Sequence, residues 1–240
     1  MLLHIVRHGQ ANASGLNYDE LSPQGWNQAR TLGRHLSQSG VEISGFACGT
    51  LLRHRQTLQG IQEGLQTTPA SPALPGTESS LFSEAIQEEE GLNEISPELW
   101  KSLALSLAEK EASFSQMLDQ LKQSQGRGRK RRLAAITGRV LEHWIRAPGS
   151  GFDSFSAAVI DSVARIVNNQ KRGDLLMVSS GTPIAILIAK SLGSSDPDSI
   201  LHWLRRLGNT SHSIIECRSE WKPLQLNSLQ HLAVIHRTLM

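Results

Sequence analysis

At 240 residues, with 39% hydrophobic and 19% charged side chains, the chain is long enough to bury one large core and reads as a globular protein. A formal net charge of +2 gives no overall electrostatic case for a nucleic-acid or membrane surface. Two cysteines, Cys48 and Cys217, exclude a disulfide framework and a thiolate metal site, MLLHIV is too short for a signal-peptide core, and no run approaches the roughly 20 apolar residues of a membrane helix. The expected home is a reducing cytoplasm.

LLHIV is apolar and β-branched without polar alternation, as in a strand covered on both faces, and Gly9 follows it; a central parallel strand is expected. From Ser22 the spacing of Trp26, Ala29, Leu32 and Leu36 is helical, with Ser22 as N-cap, Pro23 at the first position and Gly40 past the end. ISGFACGT predicts a second strand and LLRHRQTLQGIQEGL a second helix, before a Pro-, Ser- and Thr-rich stretch over 67–76.

Between about 96 and 148 no strand is predicted. Leu99, Leu103, Leu107, Phe114, Leu118 and Leu121 recur at helical spacing; QGRGRKRR predicts an exposed basic loop, and a second amphipathic helix runs through Ile136, Val140, Trp144 and Ile145. Alternation then resumes with a helix (FDSFSAAVIDSVARIV), a strand (DLLMVSS), a buried helix (TPIAILIAKSL) and a closing strand (SIIECRS). The order predicts a single domain over 1–240: a three-layer α/β/α sandwich around a mainly parallel sheet, with a helical cap inserted at about 96–148.

In such a sheet ligands bind beyond the carboxyl ends of the strands, which is where His8, Gly49 to Arg53, Ser180 and Gly181 fall. Arg7 sets a guanidinium fork beside the imidazole of His8, and Arg53 adds a second. A neutral imidazole can attack phosphorus and carry the phosphoryl group while guanidinium groups neutralise its oxygens, so the chemistry expected is that of a phosphate. The other eight histidines show no metal-ligand spacing among themselves; His54, beside Arg53, is the one placed to approach the pocket. No metal and no cofactor is expected. The basic run Arg127 to Arg132 lacks interleaved aromatics and argues against nucleic acid.

RHGQ, LSPQGWNQARTLGRHL, GTLLRHRQTL against the pattern S-P-L-x-R-A-x-Q-T-A, LNEISPELW, LGNTSHSIIEC and LQLNSLQHL together resemble the histidine phosphatase superfamily, in its phosphoglycerate-mutase-like branch. The resemblance implies that His8 is a nucleophile passing through a phosphohistidine, that Arg7 and Arg53 bind the phosphate with Gly181, and that Glu94 is the proton donor. The family segment V-S-H-G reads Val178-Ser179-Ser180-Gly181 here, similar to a bacterial subgroup with Ser-Gly in that place. Ser180 would then supply an uncharged, shorter donor where a histidine stands, which implies a slow phosphomonoesterase, with Ser180→His expected to raise turnover modestly. The expected partner is a phosphorylated small molecule or phosphopeptide. Two alternatives stay open: a module that holds a phosphorylated ligand without turnover, and a phosphoglycerate-type mutase, whose extra basic residues SPELWKSLALSLAEKEASF does not resemble.

Overall fold

The computed structural model describes residues 1–12, 19–66, 86–170 and 172–239, and in helix 126–146 leaves out the side chains of Arg127 and Lys130. The Pro-, Ser- and Thr-rich stretch over 67–76 lies outside the described residues. Two compact units are formed, one from 1–94 with 158–239 and the other from 95–157. The second extends beyond the 96–148 expected from sequence.

Within the first unit the strands are β1 (Leu2–Arg7), β2 (Ile43–Cys48), β3 (Gln87–Glu88), β4 (Asp174–Ser179), β5 (His212–Cys217) and β6 (Trp221–Ser228). They lie in the order β3-β2-β4-β1-β5-β6. β4 runs parallel to β1 and β2, and β2 parallel to β3, whereas β5 is antiparallel to both β1 and β6. β1 is therefore parallel to one neighbour and antiparallel to the other, because the 207–211 turn brings the chain back along its free edge. The sheet is mixed, with β3, β2, β4 and β1 parallel, in keeping with the mainly parallel sheet expected of the α/β fold. β6 follows the strand expected to close the sheet; Pro223 and its half-exposed pattern hide it from the sequence, and an edge strand tolerates both.

The first helix, α1 (Pro23–Gln38), starts as the sequence predicts: the Ser22 side chain accepts from the Gly25 N–H, Pro23 opens the helix and Gly40 follows at φ 67°. Its buried stripe Ala29, Leu32 and Leu36 packs with Leu58 and Ile61 of α2 (Leu52–Gln66) and with Val6, Phe46, Leu176 and Val178 of the sheet. Among the described residues no helix is long and apolar enough to cross a membrane.

The second unit contains α3 (Pro97–Lys110), α4 (Ala112–Lys122) and α5 (Gly126–Arg146), and α6 (Phe152–Asn169) begins in it. Ala104, Leu107, Phe114, Ile136 and Val140 form its core, and Leu103, Leu118 and Leu121 pack against them, while Leu99 is exposed. Phe152 and Phe155 set their ring edges on Trp144, which carries this unit past residue 148. The expected basic loop is instead the opening of α5. Gly126, at φ 57°, turns the chain; arginine and lysine are good helix formers, and the Arg129 guanidinium donates to the Leu121 carbonyl near the end of α4. Arg129, Arg131 and Arg132 are exposed, as expected of that run.

The remaining helices are α7 (Gly181–Ser191), buried almost throughout, and α8 (Pro197–Leu204), capped by the Asp196 side chain accepting from the Ser199 N–H.

Candidate active site

Sheet register builds the site. Arg7 pairs with Ser179 across β1 and β4, and the His8 N–H donates to the Ser179 carbonyl, so His8 and Ser180 leave the sheet side by side. On the other side of β4 the Gly49 N–H donates to the Val178 carbonyl. Three adjacent strand ends thus present His8, Ser180 and Gly49 in that order, with Ser180 in the middle.

The β1 end is clamped by the turn before β5. The Arg7 N–H donates to the Ser211 carbonyl, the Thr210 N–H to the Arg7 carbonyl, and the Asn209 side-chain amide to the His8 carbonyl at 3.1 Å. The Arg7 guanidinium itself donates to the Leu207 carbonyl. Thr210 holds φ 54°, an unusual conformation for a β-branched residue, and its hydroxyl pairs with His231 at 3.0 Å. Gly9 is needed for contact rather than freedom: a Cβ there would stand 2.6 Å from the Gly25 carbonyl oxygen of α1. The Gly9 N–H donates to the Thr57 hydroxyl on α2.

His8 is 8% exposed, and its Nδ1–H donates to the Gly9 carbonyl at 2.8 Å, which leaves the lone pair on Nε2. Burial, then the charges of Arg53 and Arg7, hold its pKa well below the ordinary 6.5. The imidazole is neutral at pH 7, as a nucleophile must be.

Arg53 and His54 come from the first turn of α2, and both are buried. Asp19 caps that helix by accepting from the Leu52 N–H at 2.8 Å, and its other oxygen accepts from the Arg53 guanidinium. His54 reaches across to Ser180, with Nε2 and Oγ 2.8 Å apart, and its ring centroid is 5.6 Å from that of His8. Burial, then Arg53, keeps His54 neutral too.

Glu94 lies two residues past the short 3-10 turn Glu90–Leu92 that follows β3. Its carboxylate accepts from the Thr182 N–H at the start of α7, and the loop is pinned by the Ser179 hydroxyl donating to the Leu92 carbonyl. The Cα of Gly181 marks the meeting point: a Cβ there would lie 3.8 Å from Arg7 Nε and 3.9 Å from Glu94 Oε2. The structure therefore gathers His8, Arg7, Arg53, Ser180, Gly181 and Glu94 at one end of one sheet. Pattern reading missed Asp19, Thr57 and Asn209; each acts by orienting a neighbour, and no spacing rule marks such a role.

The profile described as "Histidine phosphatase superfamily (branch 1)" matches residues 3–228. Among solved structures the chain resembles YhfR of Bacillus stearothermophilus (18% identity, 96% of this chain and 98% of that one, TM-score 0.63). It also resembles the alpha-ribazole phosphatase of Shigella flexneri (22%, 95% and 96%, TM-score 0.57). A third likeness is to the Entamoeba histolytica phosphoserine phosphatase in complex with 3-phosphoglyceric acid (17%, 97% and 99%, TM-score 0.58). A search of curated protein sequences returns no significant match. At these identities the structures speak for the fold alone, and it is the profile, spanning both arginines, His8, Glu94 and Ser180, that places this chain in the histidine phosphatase superfamily, branch 1.

Proposed function

We propose that the protein is a cytoplasmic, cofactor-independent phosphomonoesterase that works through a phosphohistidine on His8. The observation that carries this reading is the state of His8: neutral, with Nδ1 committed to Gly9 and Nε2 left as the nucleophile, between Arg7 and Arg53. In the first step Nε2 bonds to phosphorus, the ester P–O bond breaks and Glu94 delivers a proton to the departing oxygen. In the second step water attacks phosphorus, gives its proton to Glu94 and releases inorganic phosphate from His8. Arg7, Arg53, Ser180 and the N–H groups opening α7 hold the phosphoryl oxygens.

The substrate class is a small phosphomonoester. Support comes from the neighbours, a phosphoserine phosphatase holding 3-phosphoglyceric acid and an alpha-ribazole phosphatase.

A rapid-quench reaction with an aryl phosphate tests the mechanism. The expected result is phosphate on the peptide containing Arg7-His8-Gly9, stable in alkali and lost in acid, and absent from His8→Asn. Phosphate on a serine or an aspartate would overturn it. Ser180 in place of a histidine favours one rival, a binder without turnover, and that reading predicts ligand binding with no labelled peptide.

A further inference from the structure

His54 is a buried side chain that the two-step reaction does not use, although it lies against the site. Its Nε2 is 2.8 Å from Ser180 Oγ, its ring centroid is 5.6 Å from that of His8, and it is 0% exposed. Its other nitrogen, Nδ1, is buried with no hydrogen-bond partner. Gly49 makes this placement possible, because a Cβ there would stand 2.2 Å from Nδ1. The chain therefore gives up a side chain at one strand end to seat an imidazole against the serine of the next.

Neither Nδ1 nor the buried Asn93 Oδ1, which would stand 2.2 Å and 2.5 Å from a Cβ on Gly49, makes a hydrogen bond, so the direction of the bond to Ser180 turns on the tautomer. A bare lone pair is tolerated in a dry interior far better than an unsatisfied N–H. In the tautomer that carries its proton on Nε2, Nε2–H donates to Ser180 Oγ and the hydroxyl's own hydrogen stays free. An oxygen that already accepts a hydrogen bond is also a stronger donor.

We propose that His54 is a positioning residue that aims the Ser180 hydroxyl at the transferring phosphoryl group, the two side chains together filling the place of a single histidine. The proposal rests on the phosphatase reading above. The motif patterns agree with it. Where S-P-L-x-R-A and V-S-H-G carry serine, alanine and histidine, this chain carries Gly49, His54 and Ser180, so the imidazole has moved from one strand end to the adjoining helix with its volume balanced.

The test measures kcat and KM for 4-nitrophenyl phosphate with the full chain. Turnover that His8→Asn does not abolish would defeat the phosphatase reading itself, whatever His54 does. With His8-dependent turnover in hand, His54→Leu should lower kcat by about ten- to a hundredfold and leave KM within about threefold, since a misaimed donor weakens the transition state more than substrate binding. His54→Gln, which keeps an N–H near the Nε2 position, should recover most of the loss. His54→Leu with Ser180→Ala should be no slower than Ser180→Ala alone, and His54→Ala with Ser180→His should exceed Ser180→His alone. Multiplying losses, or a His54→Leu rate within twofold of wild type, would overturn the proposal. Should His54→Leu fail to fold, nitrogen NMR of the histidine rings in the wild-type chain, with His54 assigned from His54→Gln, decides it: a protonated Nε2 supports the proposal and a protonated Nδ1 defeats it.

Discussion

One donor of the Arg53 guanidinium is held by Asp19, and its other donors are the ones proposed to take a phosphoryl oxygen. Asp19 simultaneously caps the helix that carries Arg53, so a single carboxylate fixes both the backbone and the side chain. Arg53→Ala should lower kcat/KM for a small aryl phosphate by about a hundredfold through loss of a charged contact, without shifting the melting temperature by more than a few degrees. Unchanged kinetics would remove Arg53 from the site. The same scale alters the expectation for Ser180. Read from sequence, a histidine there restores a missing donor; in the structure His54 already stands at Ser180 Oγ, and Ser180→His alone should lower activity by forcing two imidazoles into one space.

Among the elements, β4 has the central position. It lies between β1 and β2, so the residue leaving its end is flanked by both neighbouring loops, which is why residues 180 and 54 meet although they are 126 positions apart. The basic stretch at the start of α5 shows another element-scale effect. Glycines at 126 and 128 suggest a loop, yet the run is helical and Arg129 closes the end of α4. Arg131→Pro should therefore destabilise the 95–157 unit by about 3 kcal/mol, whereas Arg131→Ala on the exposed face should stay within about 0.5 kcal/mol. Urea unfolding with limited proteolysis checks this, and equal stability of the two variants would return the segment to a loop.

Across the molecule, acid sensitivity follows from how many imidazoles are buried. His4, His8, His54, His212 and His231 all have lowered pKa values, chiefly through burial; His212 falls to about 3 and His231 to about 4. His4 and His212 stack in the sheet and share a 2.9 Å hydrogen bond that two protonated rings could not keep. The unfolded chain takes up these protons near pH 6.5, and the folded chain does so only at lower pH. The resulting stability is fully present above about pH 6.5 and declines as pH falls below it, by about 1.4 kcal/mol per pH unit for each such histidine. Denaturant midpoints should fall progressively between pH 7 and 4.5, and His212→Gln should flatten that decline by about one proton's slope. Equal slopes would mean that His212 titrates normally.

The alternation of β1, α1, β2, α2, α6, β4, α7 and β5, the capped start of α1 and the two arginines with His8 were legible in the sequence, because each rests on local facts: apolar runs, a Ser-Pro start, a polar residue at a strand end; the two-residue β3 and the short α8 were not. Edge strand β6 was hidden by Pro223 and the helical start of α5 by glycines, since in both places packing overrides local preference. Ser180 reads from sequence as a weaker, uncharged donor in a histidine's place. Only tertiary structure sets the His54 ring beside it, because that contact depends on β4 lying between β1 and β2, on the missing Cβ of Gly49, and on a first turn of α2 that aims two successive side chains into one pocket. Residue spacing along a chain carries none of these distances; hydrogen-bonded register between strands does.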